Sequence, residues 1–394
     1  MKVIRLKPSK ERALLRRHPW IFSGAIASGG GDPGETVRVE ADDGHFLAWG
    51  AFSPSSKIRV RVWSFAEDER IDAAFFARRI AAAVAFRSRL AIPSDAMRLI
   101  HGEADGLPGL IVDRYGDVLS AQFLSAGAER WRDRLVPLLL TATGATRLYE
   151  RSDAGARQLE GLPPRTGWLA GEGTSEVEIT EHGWRFTVDV AEGHKTGHYL
   201  DQRDNRALFR DWVRNLGVAS VLNCHAYTGG FAVAAHAGGA REVISVDSSQ
   251  PALERARRHV ALNGFAVADG NFLDADANAT LRAFLQDGRT FDAIVLDPPK
   301  FAASAVHVER AARAYKDINR IALKLLAPGG MLVTFSCSGA VNADLFHKIV
   351  ASAGTEAEVD GYIARRLEAA PDHPTTLAFP EGEYLKGLIV VRRG

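Results

Sequence analysis

Two acids, a glycine pair and a cysteine close successive apolar runs in the second half of the chain: Gly229-Gly230, Asp247, Asp297 and Cys337. The first such run leads into Asn223-Cys224-His225-Ala226-Tyr227-Thr228-Gly229-Gly230-Phe231. A glycine pair at a strand-to-helix turn lets a ligand approach the backbone closely, and it also makes a tight turn with no ligand at all. The dinucleotide fingerprint G-x-G-x-x-G is absent, which argues against a nicotinamide or flavin enzyme. Asp247 ends the next run, about 20 residues on, where an acid suits the two hydroxyls of a ribose. Its other reading is an acid beside a helix start, since Ser248, Ser249 and Pro251 follow. After the glycine turn the ribose role leads.

Asp276 is placed to accept from an adenine amino group, with Asp274 as the competing choice and an ordinary loop acid as the plain one. Asp297-Pro298-Pro299-Lys300 stops its strand with two prolines, which fixes the Asp297 carboxylate and the nearby carbonyls. Such a turn is either structural or a binding edge for a substrate base. Cysteine is usually an inert packing residue. Cys337, in Phe335-Ser336-Cys337-Ser338-Gly339, leaves its strand at the same sheet edge as Asp297, among small residues, where a thiol can act as a nucleophile. Cys224 is read as a packing or cofactor-shaping residue.

These residues need a scaffold that brings strand ends together. From Ala219 the chain alternates strands (219–223, 243–247, 292–297, 331–335) with helices such as 251–263, closed by Gly264. Apolar strands alternating with helices predict a parallel, doubly wound α/β sheet, which binds ligands beyond its strands' carboxyl ends. Ahead of it, residues 1–75 read as a small β domain. In Lys57-Ile58-Arg59-Val60-Arg61-Val62 the alternation places Lys57, Arg59 and Arg61 on one face. Residues 76–188 read as an α+β unit with helices over 72–90 and 129–140, strands at 110–112 and 118–124, and a loop or linker at 161–167.

The 394 residues carry a net charge of +1, with 46% hydrophobic and 25% charged residues, as in a soluble globular protein of two or three domains. The absence of a long apolar run or a signal-like N-terminus predicts a cytoplasmic protein with no membrane association. Two distant cysteines form neither a metal cluster nor a disulfide framework. The first 17 residues are locally basic: Lys2, Arg5, Lys7, Lys10, Arg12, Arg16 and Arg17 against Glu11. Such a run is a solvated face or an RNA-facing one.

His18-Pro19-Trp20-Ile21-Phe22-Ser23-Gly24, Gly102-Glu103-Ala104-Asp105-Gly106-Leu107-Pro108-Gly109, Lys195-Thr196-Gly197-His198-Tyr199-Leu200-Asp201-Gln202-Arg203, Tyr227 to Phe231, Asp297 to Phe301 and Phe335 to Gly339 occur in that order. In this combination, over nearly its whole length, the chain resembles the bacterial large-subunit rRNA cytosine-C5 methyltransferase family I. The resemblance implies a PUA domain, a small RNA-binding β-barrel, over 1–75. It implies a middle α+β domain over 76–188 and a Rossmann-like class I methyltransferase domain over 189–394. It implies S-adenosylmethionine (SAM) as cofactor, held by Tyr199, Gln202, Arg203, Asn223, Tyr227, Thr228, Gly229, Gly230, Phe231, Asp247 and Asp276, with no metal. It implies 23S rRNA as substrate, free or in an assembly intermediate, contacted by Lys57, Arg59, Arg61, Pro298 and Lys300. A homodimer is left open.

The chemistry so implied is carbon methylation. Carbon 5 of cytosine is a poor nucleophile until a thiolate adds at carbon 6, a role that falls to Cys337, with Asp297 on the base edge. Asp297, Asp372, His373 and a water are the alternatives for removing the carbon-5 proton. Rival readings are a methyltransferase of the same fold acting on a nitrogen such as guanine N7, a non-catalytic RNA-binding assembly factor, and a small-molecule methyltransferase.

Overall fold

The computed structural model describes residues 2–301 and 305–394. They divide into two compact units: Met1–Gly183 with Thr187–Leu200 and Pro371–Gly382, and Trp184–Phe186 with Asp201–Ala370 and Glu383–Gly394.

The first unit opens with β1 (Val3–Leu6), α1 (Arg12–Leu15), β2 (Trp20–Phe22), β3 (Ile26–Gly29), β4 (Thr36–Glu40), β5 (Phe46–Phe52) and β6 (Ile58–Ser64). These strands form one sheet in the order β2-β6-β5-β4-β1-β3. Its core is the alternate set that includes Ile4, Leu6, Val37, Val39, Val60 and Val62. Lys57 is exposed on the opposite face, with Arg59 and Arg61 half-buried.

Next come α2 (Ala73–Arg89), β7 (Ala96–His101), β8 (Leu110–Tyr115), β9 (Val118–Phe123), α3 (Ala126–Thr143), β10 (Arg147–Ser152), α4 (Ala156–Leu159) and β11 (Arg165–Ala170). The strands form a second sheet, ordered β11-β10-β9-β8-β7. Asp72 caps α2 by accepting from the Phe75 amide at 3.0 Å, and Ser125 caps α3 through Ala128 at 3.2 Å. Phe75, Phe76 and Ile80 of α2 share a core with Leu135 and Leu139 of α3. The stretch expected as a loop at 161–167 is a loop only as far as Pro164. From Arg165 it pairs with β10, and Trp168 sets its ring edge-on to Tyr149 with centroids 5.1 Å apart. The prolines mask that strand in the sequence. A two-stranded sheet of β12 (Glu176–Glu181) and β13 (Trp184–Asp189) follows.

Residues 371–382 belong to this first unit, whereas the sequence reading ran one domain unbroken from 189 to 394. The reason is a buried ionic lattice. The Arg87 guanidinium, fully buried, pairs with Asp105 at 2.5 Å and donates to the Asp372 carbonyl at 3.0 Å. Asp372 Oδ2 accepts from the Arg98 amide at 2.9 Å, and Arg98 in turn grips Asp113 with two bonds of 2.8 Å. Removing one partner of such a buried pair costs about 3–5 kcal/mol.

The second unit contains α5 (Arg203–Leu216), β14 (Ser220–Cys224), α6 (Gly230–Gly238), β15 (Glu242–Asp247), α7 (Gln250–Leu262), β16 (Phe272–Asp274), α8 (Ala277–Gln286), β17 (Phe291–Leu296), α9 (Val308–Leu325), β18 (Leu326–Ser336), α10 (Ala343–Ala357), β19 (Gly361–Glu368) and β20 (Lys386–Arg392). The sheet order is β16-β15-β14-β17-β18-β20-β19. From β16 to β18 all neighbours are parallel, as expected, while β20 runs antiparallel between β18 and β19. Strand order reverses between β14 and β17, which makes a topological switch point with its crevice at the carboxyl ends. No helix among the described residues is long and apolar enough to cross a membrane.

Gly127 lets α3 approach β5 of the first unit. A Cβ there would clash with Ala51 and lie 2.7 Å from the Trp63 ring. Gly127→Val is therefore expected to destabilise this unit by roughly 1–3 kcal/mol through overpacking. Gly155→Ala, with open space around it, leaves the melting curve unchanged. Calorimetry of both variants checks this; equal melting would remove the packing role.

Candidate active site

The residues singled out in the second unit gather at one sheet edge because the strands are in register. Cys224, Leu296 and Thr334 stand abreast in β14, β17 and β18. Asp297 is one residue beyond that row and Cys337 three. The Cys337 sulfur lies 4.0 Å from the Pro298 carbonyl oxygen, so the thiol and the Asp-Pro-Pro turn meet. Cys337 and Asp297 are half-buried, Pro298 is buried and Lys300 is exposed.

Asp297 is held from α5. Its Oδ2 accepts from Gln202 Nε2 at 3.0 Å, and Gln202 Oε1 accepts from Asn205 Nδ2 at 2.7 Å. Asn205 also donates to the Glu368 carbonyl at 2.9 Å. Gln202, expected against the cofactor, is thus the residue that orients Asp297. Arg203 is buried, with its Nε donating to Asp204 at 3.0 Å. Tyr199 belongs to the first unit, where the Lys195 ammonium lies 4.4 Å from its ring centroid.

The turn after β14 is strained. His225, Tyr227 and Gly229 have φ of 58°, 45° and 77°, and left-handed backbone at non-glycine residues clusters at ligand sites. Three contacts over-determine it. The Tyr227 amide donates to Asp247 Oδ2 at 2.8 Å, and the Ser249 amide donates to Oδ1 at 2.9 Å. His259, fully buried in α7, donates from Nδ1 to the Thr228 carbonyl at 2.8 Å, which fixes its tautomer. A Cβ at Gly229 would lie 2.7 Å from Ala256, so the turn packs directly on α7. Burial pushes His225 below the usual imidazole range, opposed by the charges of Asp247 and Asp276. Asp276 also caps α8, its Oδ1 accepting from the Ala279 amide at 2.8 Å. Phe231 departs from its expected role. Its ring packs between Phe209 and Phe335, with centroids 5.7 Å from each, so it is a core residue that brings only its backbone to the turn.

The turn suits an adenosyl ligand on one further observation. Asn223 Nδ2, next to the end of β14, is buried and has no hydrogen-bond partner among the described residues. A closed interior rarely leaves a donor unmatched unless a ligand or water completes it.

Two residues that the sequence reading missed frame Cys337. Lys386 starts β20 opposite Ser336, and its ammonium is buried, donating to the Ser338 carbonyl at 2.8 Å and the Val341 carbonyl at 2.6 Å. Burial pushes it down to about 8; the charges of Cys337 and Glu383 oppose that fall and Lys300 adds to it. Tyr315 of α9 reaches the Ser338 hydroxyl at 3.0 Å. Lys386 was legible as the lone cation heading the apolar run Gly387-Leu388-Ile389-Val390-Val391. Cys224 is fully buried and its thiol is pushed up to about 12 by that burial, which suits packing.

The RNA-contact residues of the first unit fare differently. Arg61 is committed to Glu103 at 2.8 Å and Glu160 at 3.1 Å, so its charge is already neutralised; this corrects its reading as a phosphate contact. Arg59 donates to the carbonyls of Ser53 and Pro54, which leaves Lys57 as the exposed cation of the three. Asp372 and His373 bond to each other at 3.0 Å within the buried lattice of the first unit.

An S-adenosylmethionine-dependent methyltransferase family model matches residues 162–388, and a PUA-like domain model matches residues 4–65. A ribosomal RNA large subunit methyltransferase I of Shewanella denitrificans is 50% identical over 392 residues, covering 98% of each chain. Its counterpart from Erwinia tasmaniensis is 48% identical over 387 residues, 97% of each. A SAM-dependent methyltransferase structure from Streptococcus mutans shares the fold at 21% identity, with a TM-score of 0.85 over 99% of this chain and 100% of that one. A methyltransferase complexed with SAH superposes with a TM-score of 0.86 at 21% identity, over 99% and 100%. With half its residues shared over nearly the full length of these relatives, the chain belongs to the ribosomal RNA large subunit methyltransferase I family of SAM-dependent methyltransferases.

Proposed function

We propose that the protein methylates carbon 5 of a cytosine in 23S rRNA through a transient bond between Cys337 Sγ and carbon 6 of the base. The observation that carries this reading is the thiol beside the Asp297-Pro298 turn, 4.0 Å from the Pro298 carbonyl. A nitrogen acceptor needs no thiol, because it is already nucleophilic.

Asn223 and the backbone from Tyr227 to Phe231 would hold the methionine end of the cofactor, Asp247 the ribose and Asp276 the adenine, with Arg203 completing the pocket. When bound, SAM supplies an electrophilic methyl group. Cys337, as thiolate, adds to carbon 6 and makes carbon 5 an enamine carbon able to accept that methyl. Asp297 or a water then takes the carbon-5 proton, the pair left behind restores the carbon 5–carbon 6 double bond, and the sulfur–carbon bond breaks with its electron pair returning to sulfur. Asp297, fixed by Gln202, hydrogen-bonds the base edge. Pro298 shapes that edge, and Lys300 with Lys57 contacts the RNA. In sequence, residues 1–75 and 76–188 are the RNA-binding and middle parts, and the methyltransferase part follows from 189, interrupted by residues 371–382, which pack in the first unit.

Cys337→Ala is expected to abolish methyl transfer while SAM binding by calorimetry stays within about twofold. Substantial turnover in that variant would favour the nitrogen-acceptor reading.

The thiolate needs support, and Lys386 supplies it as a positioning residue. It holds the chain after Cys337 by two carbonyls and places a cation near the sulfur, in the company of Lys300 and Glu383. A nearby cation favours the thiolate, so Lys386→Met is expected to move the pH midpoint of Cys337 alkylation upward by roughly 1 unit. Lys386→Arg retains the midpoint, and Cys224 stays silent throughout. An unshifted midpoint in the Met variant would remove Lys386 from the mechanism.

The target base must leave its stack, at about a few kcal/mol, less where the RNA is unstructured. Naked 23S rRNA or an assembly intermediate is therefore expected to be methylated faster than mature 50S subunits. Equal or faster reaction of the mature subunit contradicts this.

A further inference from the structure

Gln202 directly precedes α5 and Asn205 lies in its first turn, a spacing of three that puts both on one face of the helix. Both are buried. They form a relay of three hydrogen bonds that runs from a backbone carbonyl to the Asp297 carboxylate. A relay of amides has a direction as well as a geometry, because each amide carries a donor at one end and an acceptor at the other.

That direction is set at the far end. Glu368 closes β19 opposite Lys386 of β20, and two residues later the Ala370 amide donates to the Asp201 carbonyl at 2.9 Å. The Glu368 carbonyl is thus held in place, and a peptide carbonyl only accepts. It takes one hydrogen from Asn205 Nδ2 at 2.9 Å. The same nitrogen gives its other hydrogen to Gln202 Oε1 at 2.7 Å. With its oxygen so occupied, Gln202 turns its nitrogen to Asp297 Oδ2, at 3.0 Å. Turning either amide over would set oxygen against oxygen: Asn205 Oδ1 against the Glu368 carbonyl, or Gln202 Oε1 against Asp297. In a buried relay little water reaches such a clash to relieve it.

Asp297 therefore ends the relay as an acceptor. Cytosine carries an amino group on carbon 4, which can donate to such a carboxylate. Uracil carries an oxygen there, which would set two acceptors against each other. We infer that Asn205 and Gln202 are positioning residues that lock Asp297 as an acceptor, so that the site selects a pyrimidine with an amino group on carbon 4. A contact that merely oriented Asp297 could have either polarity; the anchor on Glu368 leaves one. The inference rests on the cytosine-methylating reading above, and it gives that reading a basis for rejecting uridine.

The test is a double-mutant cycle between the relay and that amino group, on the full chain with SAM present. The methylated nucleotide is first mapped with the wild type. 23S rRNA is then assembled by ligation with 5-fluorocytidine at that position, or with 5-fluoropyrimidin-2-one riboside, which lacks only the amino group. The fluorine blocks release from carbon 5, so covalent complex formation is timed on each, and the ratio of the two rates is the preference. Intrinsic differences between the bases cancel when variants are compared. Because both rates come from one preparation, any loss of folded enzyme cancels too. Gln202→Met removes the donor at similar length and is expected to lower the preference at least about tenfold, as for a site that loses its match to a substrate N–H. Asn205→Leu frees the Gln202 amide to turn over and lowers it about threefold or more. The two changes together lower it no further than Gln202→Met alone, because Asn205 acts through Gln202. The rate on the pyrimidin-2-one rRNA and the SAM Kd stay within about twofold in all three. An unchanged preference in Gln202→Met, or equal losses on the two bases, overturns the relay's part in selection and leaves the methylation reading standing. A wild type that forms no covalent complex with either base overturns both.

Discussion

Cys224, Leu296 and Thr334 stand in one row across three parallel strands, and the chemistry depends on that register. A parallel sheet delivers every strand's carboxyl end to the same edge, so residues more than 100 positions apart in sequence become neighbours. Two prolines halt β17 one residue past the row. β18 runs on to Ser336 before turning, and the Cys337 sulfur comes down beside the Pro298 carbonyl. Shifting β18 by one residue would turn the thiol to the other face of the sheet.

Around that edge the protein fixes its groups by over-determination rather than by strong single contacts. Asp297 is oriented by Gln202, which is oriented by Asn205, which is anchored on the Glu368 carbonyl. The turn from His225 to Gly229 is pinned by Asp247 from one side and by His259 from the other. Lys386 holds two carbonyls of the chain after Cys337, and Tyr315 holds Ser338. Each link is a modest hydrogen bond, but together they keep a strained backbone and a half-buried thiol in one arrangement.

The strand–helix alternation, the glycine turn and the acids at strand ends were legible because each has a local signature: period, turn residue or punctuation. The burial of Phe231 and the ion pairs of Arg61 were not, because both depend on partners far away in sequence. Phe209 and Phe335 claim the ring, and Glu103 and Glu160 claim the guanidinium. The same holds for Gln202, whose partner Asp297 is set by the fold and not by spacing. Residues 371–382 escaped for a related reason. Nothing in Pro371-Asp372-His373-Pro374 announces that Arg87 and Arg98, nearly 300 residues earlier, bind Asp372.

The central claim is that Cys337 bonds covalently to carbon 6 of a cytosine. It is tested most directly by trapping that bond. An rRNA transcript in which 5-fluorocytidine replaces cytidine cannot release a proton from carbon 5, so the adduct persists once the methyl group has been transferred. With SAM present, the account predicts a denaturant-stable protein–RNA complex whose cross-linked peptide contains Cys337, lost in Cys337→Ala. An adduct on another residue, or normal methylation of unmodified RNA with no trapped complex on the fluorinated one, would contradict it.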